Sequence, residues 1–169
     1  MHIKVKVITG HQGELSFQGR TYICALGKTG ITTDKKEGDH ASPAGLYPLK
    51  TVYFRPDKLD RPQTPLSCKE ITPRDGWCDD PNNSAYNKPV VLPFQASHET
   101  LWREDDLYDV IVVLGYNDAP PVPGKGSCIF MHVAKKGYDG TEGCVALAKS
   151  DLLDLLSQID PLTQIEILP

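Results

Sequence analysis

A chain of 169 residues, 40 % apolar and 24 % charged with a formal charge of −4, is long enough to bury its own core, and it reads as one domain over 1–169. The negative balance argues against a general electrostatic grip on nucleic acid or anionic lipid, and no run approaches the ~18 apolar residues of a membrane span. Five cysteines, an odd number, leave at least one free thiol.

In chain order, the opening "MHIKVKVITGHQGE" alternates apolar and basic residues, so it reads as a strand with Ile3, Val5 and Val7 on one face. The same alternation lacks the continuous apolar block of a secretory signal. Cytoplasm, a removed export signal and a non-Sec route all stay open. Short strands follow around Leu15 to Phe17 and Tyr22 to Leu26, which makes the first quarter an antiparallel meander. Residues 27 to 48 form a long loop ending in a Pro-Ala-Gly turn, before a strand at "LYPLKTVYF". Residues 55 to 87, rich in Pro, Asp and Asn, read as irregular structure laid over the core. "LYDVIVVLGYN" (107–117) has the β-branched centre of a strand buried on both faces. In "SCIFMHVAK", Cys128, Phe130 and His132 share one face. The one helix starts after Ser150, read as its N-cap, with a stripe of Leu152, Leu153, Leu156 and Ile159, and Pro161 stops it. "TQIEIL" closes the chain as a strand. The predicted fold class is mainly β, a β-rich α+β fold.

The chemistry gathers in "YDGTEGCVALAKSDLLDLL" (138–156), where Cys144 follows Gly143 at the seam between a turn and the helical pattern. A thiol becomes a nucleophile when a base takes its proton and backbone N–H groups stabilise the oxyanion on the attacked carbonyl. His132 ends a strand twelve residues earlier, and a strand-turn-strand hairpin would bring it to face Cys144. Gly143, without a Cβ, would let a substrate reach the amides of Gly143 and Cys144. On these residues alone a small buried hydrophobe is the commoner fate for Cys144, as for free cysteines generally.

The segment "GSCIFMHVAKKGYDGTEGCVAL", with "EGDHASPAGLYPL" upstream, resembles the YkuD-type L,D-transpeptidase catalytic domain. That family's motif is a strand His followed by [Ser/Thr]-His-Gly-Cys. The Ser42 to Gly45 turn resembles the family's Thr-Pro-x-Gly element. The resemblance implies a mixed β-sandwich or barrel with one helix in the C-terminal half and a long irregular covering segment, Arg55 to Arg103. It implies Cys144 as nucleophile, His132 as its base, and Gly143 and Cys144 as oxyanion donors. Thr141 matches the motif. Glu142 replaces the usual second His, Ala146 stands where Arg or Asn is common, and the His-to-Cys spacing is short. These departures resemble a compact, divergent branch associated with proteobacterial cell walls, some of whose members resemble enzymes making 1→3 rather than 3→3 crosslinks. Since a carboxylate beside a thiolate raises the thiol pKa, Glu142 is expected to point away, toward solvent, Lys135 or Lys136.

The activity so implied is transfer between donor and acceptor stem peptides of peptidoglycan through a thioester, in the periplasm, with carbapenems as inhibitors. The alternatives are an L,D-carboxypeptidase or amidase using the same pair, or a catalytically silent wall-binding module. Trp77, His98, Trp102 and Arg103 in the covering segment are candidate substrate contacts, as are Tyr116 and Asn117 after the buried strand. Cys24 and Cys128 read as core, Cys78 as a pocket wall, and a Cys68–Cys78 disulfide stays open. His40 either reaches the site or caps its loop. No H-E-x-x-H, C-x-x-C or Gly-rich phosphate loop occurs, so neither a metal nor a nucleotide cofactor is expected.

Overall fold

The structure, a computed structural model, describes all residues 1–169. Strands β1 (His2–Thr9), β2 (Gln12–Phe17) and β3 (Arg20–Ala25) form the antiparallel meander. Ile3 and Val5 are fully buried, but Val7 is exposed where the β1–β2 register shifts between Val7 and Thr9. The expected long loop is partly ordered. Within it β4 (Ile31–Thr32) and β5 (Ser42–Pro43) pair in parallel, and β6 (Gly45–Phe54) begins at Gly45.

The barrel closes through β6. Its first half pairs with β14 (Gln164–Ile167), and its second half pairs with β11 (Val110–Leu114) on one edge and β7 (Cys68–Glu70) on the other. Beside β11 lies β12 (Phe130–Val133), followed by β13 (Val145–Leu147) and β3. The circuit β11-β12-β13-β3-β2-β1-β14-β6 returns to β11, so hydrogen bonding leaves no open edge around the ring. The inward side chains, among them Ile3, Leu15, Leu26, Val112, Met131, Val145 and Ile165, form one core.

Helix α1 (Lys149–Gln158) joins that core through Leu152, Leu155 and Leu156. Two expectations are corrected here. Ala148, not Ser150, is the N-cap, and it makes no side-chain capping bond. Leu155 takes the buried place assigned to Leu153, because residues three and four apart share a helix face whereas neighbours diverge by about 100°. Lys149 Nζ draws the first turn to the barrel through Asp109 Oδ2 at 2.6 Å. Asp109 is wholly buried, and Lys58 Nζ meets its other oxygen at 3.0 Å.

The covering segment is more regular than its composition suggested. It contains β7 and a three-stranded antiparallel sheet in the order β10 (His98–Thr100), β8 (Asp75–Cys78), β9 (Pro89–Val91). This sheet and the chain after it lie over the outer face of β11 and β12, and build a second core from Trp77, Leu101, Tyr108, Ile111, Val113 and Phe130. Hence β11 and β12 are buried on both faces. Cys128 is not part of the strand: its φ of +55° places it just ahead, in the left-handed region.

Candidate active site

The expected hairpin between His132 and Cys144 does not form. Strands β12 and β13 run parallel, with Met131 opposite Val145 and His132 opposite Ala146. A parallel pair needs a crossover, and residues 134–144 supply it. The crossover is pinned to the barrel where Thr141 N–H donates to Leu26 O at 2.9 Å and Lys28 N–H to Thr141 O at 2.8 Å. Registered residues of parallel strands project to the same face. Cys144, two residues before Ala146, therefore stands on the face of His132, next to Phe130. Matching this register, Phe130 N–H donates to Cys144 Sγ at 3.4 Å.

Both groups rest uncharged. The Cys144 thiol donates to Cys128 O at 3.1 Å, and burial, followed by the nearby Glu99 carboxylate, pushes it up to about 12. Burial pushes the His132 imidazole down to about 4. His132 Nδ1 lies 2.9 Å from Val133 O. Because a carbonyl only accepts, that nitrogen carries the proton, leaving Nε2 as the unprotonated, basic one.

The turn before Cys144 is held by Thr141. Its hydroxyl donates to Cys144 O at 2.7 Å and accepts from Gly143 N–H at 3.1 Å. The Gly143 amide, expected to be free, is thus engaged at rest, whereas the Cys144 N–H takes part in none of the turn and loop hydrogen bonds. Gly143 has a φ of +141°, and a Cβ there would lie 2.8 Å from Ala41 O, so only glycine fits without strain. Glu142 lines the same cleft as the thiol, and its partners are Lys28, at 2.5 Å, and His40, not Lys135 or Lys136. Lys28, followed by His40, holds its carboxyl below the usual range.

Cys144 and His132 open into a cleft of about 660 Å³. Its walls carry both signs of charge, with Lys28, Lys35 and Arg103 set against Glu37, Asp79 and Glu99. A family model for the L,D-transpeptidase catalytic domain (YkuD) matches residues 8–167. The chain belongs to the YkuD L,D-transpeptidase family. No curated protein and no solved structure matches it. Members of the family act on peptidoglycan stem peptides and are typically cell-wall or periplasmic proteins. No helix here is long and apolar enough to cross a membrane.

Of the residues singled out in the sequence for this family's chemistry, Cys144, His132, Thr141, His98 and Arg103 line the cleft. Gly143 lies between Thr141 and Cys144 in the turn. The structure sets the others apart. Trp77 is buried behind Phe130, ring centroids 5.2 Å apart, with its indole N–H on Asn87 Oδ1 at 3.0 Å. Trp102 stacks under the Arg55 guanidinium at 3.6 Å. Tyr116 packs edge-on to Tyr47, and Asn117 closes the Pro-rich loop by bonding Val122 O and Gly126 O. All five cysteines are free; Cys78 is absent from the cleft wall, whereas Cys128 belongs to it.

Sequence reasoning missed Glu99 and Tyr108, which line the cleft beside His132. Glu99 comes from an edge strand of three residues, too short for a periodicity. Tyr108 precedes the apolar run that announces β11 and reads as its flank. Cys128 was masked by the alternation of "SCIFMHV", which its left-handed backbone interrupts.

Proposed function

We propose that this family member is a cysteine L,D-transpeptidase that crosslinks peptidoglycan stem peptides through an acyl-enzyme on Cys144. The supporting observation is the parallel β12–β13 register, which sets a thiol and an imidazole with free Nε2 on one face, opening into one cleft.

With both groups neutral at rest, proton transfer accompanies attack. As Cys144 Sγ bonds to the carbonyl carbon of an L-configured residue in the donor stem, its proton passes to His132 Nε2. The negative charge then on the carbonyl oxygen is met by the Cys144 N–H, joined by the Gly143 N–H once it leaves Thr141. Collapse breaks the C–N bond, and the leaving amine takes the proton from His132. An amine of the acceptor stem then attacks the thioester carbonyl and gives a proton to His132 Nε2; collapse breaks the C–S bond, and Cys144 Sγ takes that proton from His132 and is restored as the thiol. Burial of the thioester limits competition by water. Charges of both signs on the walls suit stems that carry carboxylates and an amine. Both 3→3 and 1→3 bonds use these same steps. Because the substrate lies in the wall, the periplasm is the place of action.

The test is mass analysis of muropeptides after incubating isolated peptidoglycan with wild-type protein and with Cys144→Ala. New dimers from wild type alone are expected. Shortened stems without dimers would make it a carboxypeptidase or amidase, and no change would make it a silent wall-binding module.

A further inference from the structure

Cysteine nucleophiles that rely on a histidine base need the imidazole plane held as well as its tautomer. Here the tautomer is set by Val133 O, a single hydrogen bond about which the ring can still tilt. What restricts the plane is another side chain. The Tyr108 ring lies against the His132 ring with centroids 5.4 Å apart and planes at 74°, and against Phe130 at 6.0 Å and 75°. Tyr108 is itself fixed at three points. Its hydroxyl donates to Glu99 Oε2, the Arg103 guanidinium lies 5.2 Å from its ring centroid, and Val133 N–H donates to Leu107 O at 3.0 Å, tying the preceding residue to β12.

We propose that Tyr108, tethered by Glu99 and backed by Arg103, is the positioning residue that keeps the His132 Nε2 directed into the cleft toward Cys144. The proposal rests on the reading of Cys144 and His132 as the reacting pair. Two further observations favour it. The tether acts across elements, from β10 to the residues before β11, so the covering sheet is coupled to the orientation of the base. Tyr108 also has its hydroxyl well above its ordinary pKa, through burial and then the neighbouring Glu99, so it stays a neutral donor across the working range. Around it stand Glu99 from β10, Arg103 from the covering chain, His132 from β12, and the thiols of Cys128 and Cys144. Tyr108 need touch no substrate; it acts through His132.

The experiment compares wild type, Tyr108→Leu and Tyr108→Phe in two ways. The first is the rate of Cys144 acylation by a carbapenem, with its pH profile. The second is the nitrogen NMR spectrum of His132 in the unliganded protein. Tyr108→Leu should lower the acylation rate constant about tenfold or more while leaving the half-saturating concentration within about twofold, since misplacing a base costs rate rather than affinity. Its His132 signals should broaden and move toward an average of the two tautomers, because a ring no longer held in its plane spends less time on the Val133 O bond. Tyr108→Phe keeps the ring and loses only the tether to Glu99, and should recover to within about threefold of wild type. Wild-type rates and wild-type His132 shifts in Tyr108→Leu would overturn the proposal while leaving the reacting pair in place. Should Tyr108→Leu fail to fold, Tyr108→Met, which also removes the ring, takes its place, and a wild-type rate with wild-type His132 shifts there would overturn it equally. A wild-type protein that carbapenem never acylates would overturn the underlying reading instead, a result the spectrum of His132 keeps separate.

Discussion

Replacing Gly143 by alanine tests whether the turn before Cys144 is built as described. Two costs arise. At a φ of +141° an alanine is strained by about 1–3 kcal/mol. Its Cβ would also sit 2.8 Å from Ala41 O and 3.3 Å from Ile129 Cδ1, and the first of these is backbone that cannot rotate away. Together these give about 2–4 kcal/mol, which in a domain of this size lowers Tm by roughly 5–15 °C. The crossover contains an internal control. Gly137 also has a positive φ, +85°, but nothing lies within 4 Å of its would-be Cβ, so Gly137→Ala should cost only about 1–2 kcal/mol. Thermal unfolding by circular dichroism gives both values. Because the Gly143 substitution moves the residue next to the thiol, it should also slow carbapenem acylation by about tenfold or more, while Gly137→Ala leaves it near wild type. Equal Tm values for the two variants, or unimpaired acylation by Gly143→Ala, would refute the steric account.

Three further outcomes follow from charges and burial. Asp109→Ala leaves Lys149 without its carboxylate and Lys58 with Asp106 alone, and because both lysines reach solvent it should cost about 1–3 kcal/mol in denaturant unfolding. Glu142→Gln should change the acylation rate by less than about threefold, since the exposed carboxylate is already committed to Lys28 and His40; a large increase would mean that its charge opposes thiol ionisation. The third outcome concerns pH. His132 is held at about 4 when folded, below its ordinary 6.5, so the unfolded chain takes up the proton first as pH falls. Its contribution is complete above pH 6.5 and is lost between about 6.5 and 4, by about 3 kcal/mol in all. Denaturant titrations across that window should show a shallower slope for His132→Gln than for wild type, and parallel slopes would contradict the buried neutral imidazole.

What the sequence made legible was whatever its periodicity carried. Ile3 and Val5 in β1, the continuous "VIVVL" of β11 and Ile165 and Ile167 in β14 each announce their strand, because a buried face imposes a period of two and burial on both faces erases it. Strands β4, β8 and β10, of two to four residues, carry no alternation of apolar and polar residues that marks them, and come from pairing, not from local preference. The direction of β13 was also hidden. A spacing of twelve from His132 to Cys144 suits a hairpin as well as a short crossover, and only the barrel's closure onto β3 selects the parallel one. At the site, the Thr141-x-Gly143-Cys144 run could be read because a motif concentrates its chemistry in contiguous residues. Glu99 and Tyr108 reach His132 from separate parts of the covering segment, and nothing local marks them. Trp77, Trp102, Tyr116 and Asn117 looked like cleft residues by type and neighbourhood, but Trp77 and Trp102 pack in and against the second core, Tyr116 packs with Tyr47 against the barrel core, and Asn117 bonds within its own loop.

The most direct test of the central claim is to trap the acyl-enzyme. Wild type, Cys144→Ala and His132→Gln would each be incubated with a carbapenem, and the intact mass and the digested peptides measured over time. The account predicts a single adduct on wild type, mapped to the peptide holding Cys144, none on Cys144→Ala, and greatly slowed formation on His132→Gln. An adduct that persists in Cys144→Ala, or that maps to Cys128, would contradict it.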